Sequence, residues 1–262
     1  MTSSATIRVS LPHIAKIIDH ALLQPNLTDA EIDTGLEIAK RCNVATACIK
    51  PYSIAAAKKA LAGTDVQICA AIGFPHGNSV TQIKVAEAVQ AANDGAQEID
   101  MVINVGKVLS GDWDYVSAEI KVINDAVVAE GASLKAIFEI DYLEDEHIIQ
   151  LCRICNDIGV AFVKTSTGYG FVKQTNGDFN YQGATVSDVK LMREHCGPEI
   201  QIKAAGGVRD LNAFLYMMYL GVTRIGTSGT VGILEQAKAR GIGIDEVEVT
   251  INVGSFGING GY

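Results

Sequence analysis

Two periods of hydrophobic and polar positions alternate along the 262-residue chain. Short apolar runs, strand-like in length, are followed by longer stretches in which apolar residues recur every three or four positions, as on amphipathic helices. The first run, Ile14 to Ile18, leads into Asp19-His20 and is read as the first strand. Thr28 and Glu31 have capping-box spacing and open a helix to about Arg41. Further strands are predicted over 45–49, 66–73, 98–103 and 134–140, from Phe162 to Lys164, and over 200–204 and 223–226. The helices between and after them run over 51–63, 80–93, 112–130, 144–158, 184–195, 210–220 and 230–240. Eight strand–helix pairs with short connections and no internal linker predict an α/β fold, a single (β/α)8 TIM barrel. The barrel takes in residues 1–262, with a short extension over 1–12 and a flexible tail over 241–262. A flavodoxin-like or Rossmann sheet would want a glycine-rich turn after the first strand, and Asp19-His20-Ala21 is not one.

In such a barrel, functional side chains belong at the C-terminal ends of strands. Asp100, Lys164 and Lys203 each interrupt an apolar strand. An inert ion pair accounts for two of them, but two lysines and one aspartate leave a positive charge over, which is costly in a core. A cation beside a second lysine helps that neighbour release its proton. The freed amine can attack a carbonyl and form an imine, with Asp100 placed to move protons. The alternative at this point is an inert charge cluster.

Two loops add a second clue. Ala205-Gly206-Gly207-Val208-Arg209 and Gly226-Thr227-Ser228-Gly229-Thr230 each set small residues before a predicted helix. Backbone N–H groups at helix N-termini bind phosphate, and barrels often carry a phosphate site there. Arg209 either adds charge to that site or belongs with Asp210 at the start of its own helix.

A net charge of -9 with no basic run argues against nucleic acid or an anionic membrane as partner. No apolar run approaches the ~20 residues of a membrane span, and residues 1–10 lack a leader's charged and apolar regions. The six cysteines lie in apolar or helical contexts and read as reduced thiols of a cytoplasmic protein. Cys152 and Cys155 form a lone C-x-x-C, read as helix packing. The five histidines are scattered without ligand spacing, so no metal is expected. His20, beside Asp19, is open to either a catalytic or a structural role.

With these residues in view, the chain resembles the deoxyribose-phosphate aldolase family of class I aldolases from about Ile18 to Gly229. The resemblance is carried by Ile18-Asp19-His20, Ala47-Cys48-Ile49, Gly73-Phe74-Pro75-His76-Gly77 and Glu98-Ile99-Asp100-Met101-Val102. The most specific matches are Val163-Lys164-Thr165-Ser166-Thr167-Gly168 and Lys203-Ala204-Ala205-Gly206-Gly207-Val208-Arg209. It implies that Lys164 is the Schiff-base lysine, Lys203 the lysine that tunes it, Asp100 the proton-transfer carboxylate and Asp19 an orienting group. Cys48 and Thr167 would line the substrate pocket. Gly168, Gly206, Gly207, Gly226 and Ser228, with Arg209, would hold a phosphate. The implied reaction, without a cofactor, is reversible cleavage of 2-deoxyribose 5-phosphate to acetaldehyde and glyceraldehyde 3-phosphate. Partners are then a small phosphorylated sugar and short aldehydes, with a homodimer or higher homo-oligomer left open.

Three departures from the family pattern bear on this. Ala21 stands where many members have threonine. Residues 169–182 intervene before Gly183-Ala184-Thr185, where the family has a shorter turn. Family members often end in a tyrosine that reaches the site, which gives Tyr262 a catalytic role unless the terminus frays. The insertion keeps two alternatives open: the same imine chemistry with another acceptor aldehyde, or a non-catalytic phosphosugar-binding barrel.

Overall fold

The computed structural model describes residues 3–173 and 176–253. In chain order its strands are β1 (Ser3–Val9), β2 (Ile18–Leu22), β3 (Thr46–Ile49), β4 (Gln67–Ile72), β5 (Glu98–Val102) and β6 (Ser133–Ile137). They continue with β7 (Phe162–Lys164), β8 (Val172–Lys173), β9 (Phe179–Asn180), β10 (Gln201–Ala205), β11 (Arg224–Thr227) and β12 (Val247–Val253). The helices are α1 (Leu11–Ala15), α2 (Asp29–Cys42), α3 (Ile54–Ala60), α4 (Thr81–Asp94) and α5 (Val105–Leu109). After them come α6 (Trp113–Ala129), α7 (Asp145–Ile158), α8 (Val186–His195), α9 (Leu211–Tyr219) and α10 (Thr230–Ala239).

Eight parallel strands close into a barrel in the order β10-β11-β2-β3-β4-β5-β6-β7, the expected (β/α)8 architecture. Every residue of β3, β5 and β7 is buried. Helices cover the outer face of such strands and the barrel interior fills the other. Cys152 and Cys155 belong to the apolar core on α7, as their helical context predicts. The capping box that opens α2 is complete: Glu31 N–H donates to Thr28 Oγ1, and Thr28 N–H donates to Glu31 Oε2.

Two segments differ from the sequence reading. The run Ile14–Ile18 divides: α1 takes it up to Ala15, and the strand starts only at Ile18. Ser10 Oγ accepts from His13 N–H at 3.3 Å and Pro12 sits in the first turn, so the local chain is set to start a helix. Within the segments taken as an extension and a tail, residues 3–9 and 247–253 form a two-stranded ladder. β1 and β12 pair antiparallel over seven register positions, from Ser3↔Val253 to Val9↔Val247. Val9, Val249 and Ile251 bury their side chains there, and β12 packs along α9.

Candidate active site

Parallel register decides which side chains meet inside the barrel. Lys164 on β7 pairs with Lys203 on β10, and Asp100 on β5 pairs with Lys135 on β6. Residues paired across parallel strands face the same way, so the two lysines share one level. Asp100 Oδ2 accepts from both ammonium groups, each at 2.7 Å. Its Oδ1 accepts from Lys135 Nζ at 3.0 Å. Burial works against the charge on Asp100, but Lys135, Lys164 and Lys203 outweigh it and hold its carboxyl well below the usual range.

The rest of the cluster lies around and below this triad. Asp19 Oδ2 is 2.6 Å from Lys203 Nζ and 3.6 Å from Lys135 Nζ, and its Oδ1 faces Arg224 Nε at 3.3 Å. Glu98 holds Lys135 at 2.5 Å and Arg224 at 2.9 Å. Burial would discharge Lys203, yet Asp100 and Asp19 keep its pKa well above the ordinary lysine range. Lys203 is therefore a standing cation beside Lys164. The charge count needs a correction: the cluster holds Lys135, Lys164, Lys203 and Arg224 against Asp19, Glu98 and Asp100. The expected single surplus positive charge survives the larger membership. Among the described ion pairs Lys164 meets one carboxylate, whereas Lys203 meets two and Lys135 three.

Lys164 is thus the least compensated amine and the last residue of its strand. Cys48 Sγ lies 3.8 Å from Asp100 Oδ2 and 3.9 Å from Lys203 Nζ. Cys69, missed in the sequence, sits deeper and donates to Asp100 Oδ1 at 3.0 Å. Cys48, Cys69 and Asp100 come close enough to hold a metal, as do Asp19, Cys69 and Glu98. Lysine ammonium groups already stand against these donors, Lys135 Nζ at 3.2 Å from Cys69 Sγ. His20 turns away from the cluster. Its Nδ1 lies 2.8 Å from Thr230 Oγ1 at the start of α10, and burial lowers its pKa to about 4, so the ring is neutral there.

The two glycine loops meet. Gly206, Gly207, Arg209, Gly226 and Ser228 line one cleft, together with Val208, Thr227 and Tyr181. Thr227 Oγ1 ties the loops together by donating to Val208 O at 2.8 Å and accepting from Gly229 N–H at 3.0 Å. Thr167 and Gly168 are not on that cleft's lining. Thr167 N–H donates to Glu139 Oε1 at 3.0 Å, and its hydroxyl donates to Glu139 Oε2. Tyr262 lies outside the described residues.

Like Lys135, Glu98 and Arg224, Glu139 is a further residue missed in the sequence. It is buried, with a left-handed φ of +55°, where β6 hands over to the turn Ile140–Tyr142. Burial raises its pKa from 4.5 to about 7. The sign follows from linkage: the unfolded chain releases this proton near pH 4.5 and the folded chain near 7, so the contribution to stability is full below 4.5 and is lost as pH rises through 7. Glu139→Gln is expected to flatten that part of the stability–pH curve, a step of roughly 3 kcal/mol. Denaturant midpoints at pH 5 and pH 8 check it, and an equal pH slope in both proteins contradicts it.

A closed barrel with a charged lysine cluster inside its strands and a glycine-lined cleft at its loops is the frame of a (β/α)8 barrel aldolase. Residues 13–235 match the model of the DeoC/LacD family aldolases. A deoxyribose-phosphate aldolase of Rhodopirellula baltica is 46% identical over 237 residues, covering 90% of this chain and 94% of that protein. One from Thermococcus gammatolerans is 42% identical over 227 residues, covering 86% and 96%. A solved deoxyribose phosphate aldolase from Aeropyrum pernix, described as a tetramer, superposes with a TM-score of 0.77 at 27% identity, covering 87% and 93%. The chain belongs to the DeoC/LacD family of aldolases.

Proposed function

We propose that the chain reversibly cleaves 2-deoxyribose 5-phosphate to acetaldehyde and glyceraldehyde 3-phosphate through an imine on Lys164. One observation carries the assignment to Lys164: it is a buried amine at a strand exit, held by a single carboxylate oxygen that it shares with a standing cation. In its neutral form Lys164 Nζ attacks the C1 aldehyde carbon, and the carbinolamine loses water to give a protonated imine. That imine draws the electron pair of the C2–C3 bond as the C3 hydroxyl gives up its proton, and glyceraldehyde 3-phosphate leaves. Protonation at C2 and hydrolysis then release acetaldehyde and restore the amine.

Asp100, kept ionised by its three lysines, is the carboxylate that relays these protons, directly or through water. Lys203 holds Asp100 in place as a fixed cation beside Lys164, and Asp19 orients Lys203. The cleft formed by the two glycine loops takes the phosphate end, with Arg209 supplying positive charge.

Borohydride reduction in the presence of acetaldehyde, followed by peptide mass spectrometry, tests the reading. The expected result is a two-carbon adduct on Lys164, and no adduct overturns imine chemistry altogether. An adduct without cleavage of 2-deoxyribose 5-phosphate instead assigns the chemistry to another acceptor. We also propose a cytoplasmic setting, supported by six free cysteines. No helix among the described residues is long and apolar enough to cross a membrane. Self-association as a homodimer or higher homo-oligomer is part of the same proposal, and sedimentation velocity decides it.

A further inference from the structure

The long stretch after Gly168 is anchored at both feet to the turn that follows β6. Phe171 N–H donates to Tyr142 Oη at 2.7 Å, and the N–H groups of Gln182 and Gly183 donate to Asp141 Oδ1 at 2.5 and 3.1 Å. Between the feet, β8 and β9 pair as an antiparallel hairpin. Just past it, the backbones of Gly183 and Gly206 approach so closely that a Cβ on either would meet the other at 2.7–2.8 Å. Both have positive φ, +78° and +87°, so only glycine meets the steric and conformational demand together. This contact fixes the end of the stretch against the loop after β10.

Tyr181 stands immediately before that contact. Its side chain is 8% exposed, and a Cβ on Gly206 would lie 3.5 Å from its Cε2. The tyrosine therefore borders the cleft formed by the two glycine loops. The cleft leaves about 20 Å³ of room, on the order of one water. A ring set along backbone donors removes competing water and lowers the local dielectric, which strengthens attraction to an anion.

We infer that Tyr181 is a specificity-determining residue, its ring walling the cleft so that substrates ending in a phosphate are selected over the same substrates without one. The inference rests on the proposed phosphate handle, not on the imine step. The test compares wild type, Tyr181→Ala, Tyr181→Phe and Phe179→Ala, an exposed position on the same hairpin. Each is assayed for kcat/KM on 2-deoxyribose 5-phosphate and on 2-deoxyribose, and titrated calorimetrically with inorganic phosphate. Tyr181→Ala should lower the ratio of the two specificity constants roughly tenfold, through KM for the phosphorylated sugar. It should also weaken inorganic phosphate about fivefold. Tyr181→Phe should keep most of both, and Phe179→Ala should alter neither. A ratio in Tyr181→Ala that stays level or rises overturns the inference, as does a Tyr181→Phe as poor as the alanine variant. If wild type cleaves neither sugar, the proposed function falls while the titration still decides Tyr181: equal phosphate affinity in wild type and Tyr181→Ala overturns it.

Discussion

Lys164→Leu should lose on the order of 10,000-fold or more in kcat, because the step that splits one difficult bond cleavage into easier ones disappears with the amine. No neighbour can take over. Lys203 lies at the same level but is fixed by Asp100 and Asp19 and held charged by them, so it offers no free electron pair. The fold should tolerate the change. Asp100 keeps Lys135 and Lys203, so no carboxylate is left alone, and the apolar side chain suits a strand that is wholly buried. The expected pattern is a melting temperature within a few degrees of wild type together with turnover near the assay floor. Activity above about one hundredth of wild type in Lys164→Leu would show that the imine forms elsewhere or not at all.

Lys135→Met carries the largest expected cost in stability. The ammonium of Lys135 stands among Asp19, Glu98 and Asp100 with no exposure to water. Asp100 and Asp19 retain other cations, and Glu98 keeps Arg224 at Oε1, but Glu98 Oε2 loses the group 2.5 Å away. Breaking a buried pair by removing one partner costs about 3–5 kcal/mol, which for a chain of this size is roughly 10 °C in melting temperature. The cost should shrink at acid pH, because a cluster that has lost one cation sheds its excess negative charge by taking up a proton. Denaturation midpoints at pH 7.5 and pH 4.5 measure the effect. A loss of the same size at both would mean that the missing packing volume, not the missing charge, destabilises the variant.

The strand pattern made the barrel legible because most of its strands announce themselves as apolar runs of the right length. Asp100, Lys164 and Lys203 were legible for the complementary reason, a charge where the run demands none. Lys135 and Glu139 carry the same signal within the 134–140 run, and Glu98 and Arg224 carry it at the edges of theirs. What hides them is register: only the stagger of the closed sheet places Lys135 beside Asp100 rather than against a helix. The first strand was misplaced at Ile14 because a five-residue apolar run fits helix and strand equally, and Ser10 with Pro12 decides it. Tyr181 was beyond reach, since a loop's own residues say nothing about which other loop they lean on. Pairing of β1 with β12 joins positions more than 200 residues apart, and no local periodicity reports such a partner.

That ladder also constrains the order in which the molecule can assemble. In the unfolded chain, bringing those two segments together means closing a loop of more than 200 residues against its entropy. Once β10 and β11 have joined β2, the remaining separation is bridged by folded structure and only short connectors must still be ordered. The ladder is therefore cheap to form after ring closure and dear before it, which makes it a late clasp. Amide exchange along residues 3–9 would act as a gauge of barrel completion, set at the far end of the chain's history from the lysines it encloses.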